Sequence, residues 1–242
     1  MRRPKALIFI ILGAVTLLFL AFDMTVGGAP VPLGDVLAAL TGGDVPKTTA
    51  RIVVDIRLVK AVVALLSGAA LGVSGLEMQT LFRNPLAGPY VLGISSGASL
   101  GVALFMLGAP LLGLSGAFSS LGVAGAAWVG AAAVLFAIAI VGRRVRDIMV
   151  ILILGMMFSS GVGAVVQILQ YLSSEDSLKR FVVWTMGSLG DVTSAQLWLL
   201  APAVVLGLVF GVAAVKPLNL LLFGEEYAVT MGLSARRTRA LL

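Results

Sequence analysis

Of the 242 residues 60% are hydrophobic and 12% charged, with a mean hydropathy of +1.10, against roughly 45–50% apolar and 25% charged in soluble domains; water is not the main solvent of this chain. Cys and His are both absent, which removes disulfides, thiolate nucleophiles, the usual zinc ligand sets and a Ser-His-Asp triad, so neither a metal site nor a catalytic residue is expected. The net charge of +6 comes from short basic clusters between apolar runs, not from a stripe on a soluble domain, and nucleic acid is not an expected partner.

A hydrocarbon core about 30 Å thick takes about 20 helical residues. Windows of that kind run over 6–22, 61–82, 91–112, 121–141, 148–172 and 197–215. They lack strict alternation and exceed a barrel strand, so the fold class expected is all-α, a polytopic integral membrane protein. The first window follows Met1-Arg2-Arg3-Pro4-Lys5 with no small-x-small site before Asp23, and reads as a retained anchor rather than a cleaved signal. Residues 23–56 form a segment with Pro and Gly breaks and one short amphipathic helix near Leu33–Leu40.

In the second window Gly68, Gly72 and Gly75 share a helix face, as Gly93, Gly97 and Gly101 do in the third; small residues at such spacing let helices approach closely in lipid, and tight packing is preferred here over pore lining. Glu77 is the acid inside a span. Near the helix end its ordinary reading is snorkelling or a packed polar contact, with a place on a substrate path as the alternative. The Asn84-Pro85 and Gly88-Pro89 pairs force an irregular turn before the third window, a backbone tolerated at a membrane only where protein or water satisfies it. In the fifth window Gly155, Ser159, Gly163 and Gln167 step by four. That stripe fits helix packing or a path equally, because Gln167 needs a partner or water at depth.

With the N-terminus inside, eleven Lys and Arg residues fall on the inner face and six on the outer, as the positive-inside rule asks, and Arg143-Arg144-Val145-Arg146 fixes the register best. Lys47, Arg51, Arg57, Lys60, Lys179 and Arg180 are the outer six. Beyond the sixth window Gly224-Glu225-Glu226 suits a helix start and Gly232 its stop, with barely two turns between them. No Lys follows a Gly, so the GxxxxGK[ST] phosphate loop is absent and any ATP chemistry must belong to a partner.

The string SGAALGVSGLEMQTLFRNPLAGPYVLGISSGASLG, Ser67 to Gly101, closely resembles the FecCD-type permeases, the iron-chelate, haem and cobalamin branch of the ABC importers. Its turn carries the RNPLA signature at Arg83, Asn84 and Pro85, followed by Gly88 and Pro89. Asp55-Ile56-Arg57-Leu58-Val59-Lys60 is similar to the family's LRLPR stretch, with Val59 for Pro and Lys60 for the second Arg. Trp184-Thr185-Met186-Gly187-Ser188-Leu189 resembles its W-x-MGSL block, preceded by a polar surface excursion over 173–180. Leu218 onward is similar to its LN-x-L-x-LGE-x-x-A-x-x-LG segment.

The resemblance implies a permease subunit of a binding-protein-dependent importer in the bacterial inner membrane, N-terminus cytoplasmic, as one transmembrane domain over 1–242. It implies docking of a periplasmic or lipoprotein binding protein at Arg57 and Lys60, although from residue type alone these are equally interfacial anchors. Residue type, not the resemblance, offers Glu77, Ser159, Gly163 and Gln167 as candidates for a translocation path; the resemblance implies coupling to an ATPase subunit over 216–237 through Gly224, Glu225, Glu226, Ala228 and Gly232. A second permease copy and membrane lipid are the other partners; this chain binds no cofactor, and ATP and Mg are used by the ATPase. The family has about ten spans, so the six here are expected to be its N-terminal part. A secondary transporter and a non-transporting membrane fragment are the competing functions; a secondary transporter usually carries more intramembrane charge than Glu77 alone.

Overall fold

The computed structural model describes residues 5–111, 120–142, 145, 148–190, 192–223, 228 and 230–232, and among these every regular element is helical. Arg143, Arg144 and Arg146, and Gly224, Glu225 and Glu226, lie outside the described residues. Five of the described helical stretches are long and apolar enough to cross a membrane: Ala6–Thr25, Ile94–Leu111, Gly122–Gly142, Met149–Leu172 and Ser194–Leu221. The second window is helical too, over 24 residues, and is not among the five.

The chain forms two compact units, one of residues 1–68 with 188–202, the other of 69–187 with 203–242. In the first, α1 (Lys5–Thr25) is apolar on every side, and almost all its side chains are exposed until Met24. A helix hydrophobic all round and uncovered by protein is one that meets lipid. The chain then turns back through α2 (Leu33–Thr41) and α3 (Lys47–Arg51), which runs through a wide π-turn at Ile52–Leu58 into α4 (Val59–Phe82). Met24, Val31, Val36, Val53 and Ala61 form a small core that folds this segment over the end of α1. The short amphipathic helix expected near 33–40 is α2, closed by Gly42 at φ 77°. Val59 replaces the proline of the family pattern and keeps a backbone N–H, which donates to the Ile56 carbonyl, so the helix runs on without a break.

The second unit holds α5 (Ile94–Ala103), continued through a π-turn at Leu104–Gly108 into α6 (Ala109–Leu111). Pro110 supplies no N–H and its ring crowds the carbonyl four residues back, a disturbance that a locally widened helix accommodates. Helices α7 (Ser120–Gly142), α8 (Ile148–Leu172), α9 (Glu175–Thr185) and α10 (Ser194–Leu221) follow; α10 crosses from one unit to the other at Pro202. The polar excursion expected over 173–180 is instead the amphipathic helix α9. Ser174 stands at its N-cap position and Glu175 and Asp176 occupy its first turn. Its apolar face carries Phe181, 1% exposed, stacked on Trp184 at 6.3 Å, into a core with Val102, Leu107 and Val166. Trp184 is therefore a packed residue here, beyond the interfacial belt that its type alone suggests.

Candidate functional site

Where α5 crosses α7 the backbones touch. A Cβ on Gly97 would stand 2.5 Å from the Gly130 carbonyl oxygen, and one on Gly101 would overlap the Ala126 carbonyl. Gly130 is equally constrained from its side, by Gly101 N at 2.9 Å. Tight packing, expected for the Gly93–Gly97–Gly101 face, is what that face does. The Gly68–Gly72–Gly75 face differs: a Cβ on any of the three meets no atom of the described residues within 4 Å.

The α4–α5 turn is built by its sequence. Arg83 ends α4 in the left-handed region at φ 47°; its N–H reaches Thr80 O at 3.3 Å and that of Asn84 reaches Gln79 O at 3.1 Å. This is the paired closure common at helix C-termini, with arginine at the position glycine usually takes. Asn84 Oδ1 accepts the Leu86 N–H at 2.9 Å, and Asn84 O accepts the Ala87 N–H at 3.1 Å, the self-bonded turn for which Asn is favoured. Pro85 is exposed, Gly88 is extended, and Pro89 opens a 3-10 turn, Pro89–Leu92, where its missing N–H costs nothing. Gly93, at φ 75°, caps that turn and starts α5.

This hairpin is seated on α8. A Cβ on Gly155 would lie 2.7 Å from Val91 O and 3.0 Å from Leu92 Cα; one on Gly93 would lie 2.8 Å from Ser159 Oγ. Ser159 Oγ itself donates to Gly155 O at 3.0 Å. The stripe on α8 thus divides. Gly155 and Ser159 are filled by the hairpin, whereas Gly163 has nothing within 4 Å of a Cβ among the described residues and Gln167 is exposed.

Glu77 lies elsewhere. Its Oε1 is buried with no hydrogen-bond partner among the described residues, and it stands 2.8 Å from where a Cβ on Gly211 of α10 would be, with Val73 Cγ1 at 2.7 Å. Glu77 Oε1 is therefore packed against the bare backbone at Gly211 without a hydrogen bond among the described residues. No hydrogen bond joins Glu77 to Ser159, Gly163 or Gln167 among the described residues, so the four path candidates form no single cluster. Further along the same pair of helices, Arg83 Nη2 donates to Leu221 O at 2.5 Å. The two contacts lie six residues apart along α4 and the turn that ends it, and ten apart along α10, in the same order on both, which makes the two helices parallel neighbours there.

Arg57 is 7% exposed. Its guanidinium donates to Met24 O at 2.6 Å and to Ala29 O, and Gly27 leaves room for it, Nη2 being 3.1 Å from a Cβ placed there. Docking asks for an accessible guanidinium; this one is turned inward and holds the loop after α1. Lys60 pairs with Asp23 at 3.0 Å, with side chains 44% and 37% exposed, and is the accessible member of the two. In the segment after α10, Ala228 is fully buried and Gly232 has φ 90°, in the left-handed region. Sequence reasoning missed the Arg57 loop contacts, the Gly211 seat and the reach of Arg83 to α10, whose partners are all backbone atoms far away in the chain.

An all-α chain of several apolar spans, with glycine crossings and an irregular hairpin held by protein, defines a multi-pass membrane protein. The chain belongs to the FecCD transport family, which matches residues 14–242. It is 34% identical over 189 residues to the hemin transport system permease HmuU of Yersinia pestis, covering 76% of this chain and 55% of that protein. It is 33% identical over 224 residues to the ferric enterobactin transport system permease FepG of Escherichia coli, covering 89% and 63%. It is 33% identical over 233 residues to the cobalamin import system permease BtuC of Halobacterium salinarum, covering 95% and 61%. The chain thus spans 55–63% of the length of these relatives. A solved chain described as an inward-facing metal-chelate type ABC transporter shares the fold, with a TM-score of 0.78 at 23% identity, covering 99% of this chain and 71% of that one.

Proposed function

We propose that this chain is a permease subunit of a binding-protein-dependent ABC importer that moves an iron chelate, haem or cobalamin across the bacterial inner membrane, with ATP hydrolysed by a partner subunit. The observation that carries the reading is the family match over 14–242, joined to relatives whose cargoes are hemin, ferric enterobactin and cobalamin. The N-terminus is cytoplasmic in this reading, which eleven basic residues against six support. The parallel contact between α4 and α10 agrees with their being the second and sixth spans, which run in the same direction whichever side the N-terminus takes. Residues 216–237 meet the ATPase, and the accessible pair Lys60 and Asp23 borders the surface offered to the binding protein. Gly163 and Gln167, which the hairpin leaves uncovered, face the path, and a second copy of the permease completes it.

The test is reconstitution of the chain in proteoliposomes with its cognate ATPase and binding protein. Expected is ATP hydrolysis stimulated by the binding protein, with uptake of one among haem, ferric enterobactin and cobalamin that the other two do not compete away. Uptake that persists without the ATPase and collapses with an uncoupler would overturn the reading.

A further inference from the structure

Among the described residues Arg83 is the one non-glycine residue with a positive φ. At the end of a helix, glycine meets that requirement without the steric penalty an L side chain carries. Arginine there is costly for the backbone, and what it gains is reach. The left-handed turn sends the side chain to α10, where Nη2 donates to Leu221 O. Leu221 is the last residue of a 28-residue helix, so its carbonyl has no intrahelical partner and lies at the negative end of the helix dipole. A guanidinium satisfies both conditions at once.

The other end of the connection is equally defined. Phe82, immediately before Arg83, is 1% exposed in a core with Ala87, Leu92, Val134 and Ile138, and Leu92 rests on Gly155 of α8. The turn bearing Arg83 is thereby fixed to α7 and α8. Leu222 and Phe223 follow Leu221 directly, both exposed and apolar, within the segment 216–237 that the proposed function assigns to the ATPase.

We propose that Arg83 is a positioning residue that clamps the end of α10 to the α4–α5 hairpin, so that the segment leaving α10 moves together with the hairpin and the α8 face on which it sits. The coupling half of this inference rests on the proposed function; the clamp does not.

The chain has no Cys, so one cysteine introduced at Leu222 gives a single reporter for a spin label. In the full chain Arg83→Gly keeps the left-handed turn and removes the side chain that carries the guanidinium. Expected is a label at 222 at least about threefold more mobile than in the parent, with a thermal midpoint in detergent unchanged or raised, because glycine relieves the backbone. Arg83→Lys retains a charge and a donor and is expected to recover at least half of the order. In the complex with ATPase and binding protein, Arg83→Gly is expected to lose about fivefold or more of the stimulation while basal ATP hydrolysis stays. A label at 222 as immobile in Arg83→Gly as in the parent overturns the clamp. A loosened label with full stimulation overturns the coupling. A parent complex that shows no stimulation sinks the proposed function instead and leaves the label experiment to decide the clamp.

Discussion

Two glycine faces of this protein look alike in sequence and behave in opposite ways. On α5, Gly97 and Gly101 are pressed against Gly130 and Ala126 of α7 so closely that no side chain fits. On α4, Gly68, Gly72 and Gly75 have the same small-residue character and open space beside them among the described residues. A spacing of small residues thus states a capacity for close approach, and only the presence of a second small face opposite realises it. Gly130 and Ala126 are that second face for α5, at the i, i+4 spacing that brings both to one side of α7.

The widest separation between the two faces is expected from alanine substitution. Gly101→Ala meets backbone on two sides and is expected to cost about 3 kcal/mol, the upper part of the range for overpacking, because neither partner atom belongs to a flexible side chain. Gly72→Ala in the same chain is expected to stay within about 0.5 kcal/mol of the parent. Reversible unfolding in mixed detergent micelles measures both. Equal losses would erase the distinction between the faces, and a loss for Gly72→Ala that arises only in an assembled complex would show a partner covering α4.

A second contrast lies within α8. Gly155→Ala is expected to lose about 2 kcal/mol, since Val91 O and Leu92 Cα stand where the methyl group goes. Gly163→Ala, two turns on, is expected to leave stability unchanged and instead to alter uptake in the reconstituted importer. A stability loss at Gly163 matching that at Gly155 would mean that the open half of the stripe is packing as well.

How much of this was legible follows the same division between capacity and partner. The bounds of α8, 148–172, and the end of α4 at Phe82 coincide with their apolar windows, because a span advertises itself along its own sequence. The expected end of the last window at 215 falls six residues short of Leu221. The helix continues through Lys216 and Pro217, past the apolar window, and buries Leu218. Helix α9 was missed because 11 residues are too few for a hydropathy window, although Ser177, Phe181 and Trp184 at i, i+4 and i+7 carry the helical period. The inward turn of Arg57 had no local signal at all. Its acceptors are carbonyls 33 and 28 residues upstream, and a loop's backbone path is not written in hydrophobic periodicity.

Arg57 and Lys60, three residues apart and both basic, sharpen this further. Arg57→Ala removes a charged donor from two carbonyls in a nearly closed site and is expected to cost about 2 kcal/mol, in the range for hydrogen bonds involving charged groups. Arg57→Lys should recover less than half of that, because one ammonium lacks the fork that reaches Met24 O and Ala29 O together. The thermal midpoint of the purified chain is the measurement. A midpoint unchanged in Arg57→Ala, with weakened attachment of the binding protein, would return Arg57 to the docking role its sequence position implies.

The smallest effect on stability is expected at Lys60, and there the consequence shifts from folding to association. The ion pair with Asp23 is partly exposed on both sides, so solvent and salt screen it and Lys60→Ala is expected to cost less than about 1 kcal/mol. A charge on the rim of a docking surface acts chiefly on the rate of encounter. Lys60→Ala should therefore slow association of an acidic binding protein several-fold at low ionic strength, with the difference fading as salt is raised, while dissociation stays nearly constant. Asp23→Ala frees the ammonium and should move the association rate the opposite way. Were both substitutions to slow association equally, the intact pair would be the feature recognised, and Lys60 would act with Asp23 as one fixed polar contact.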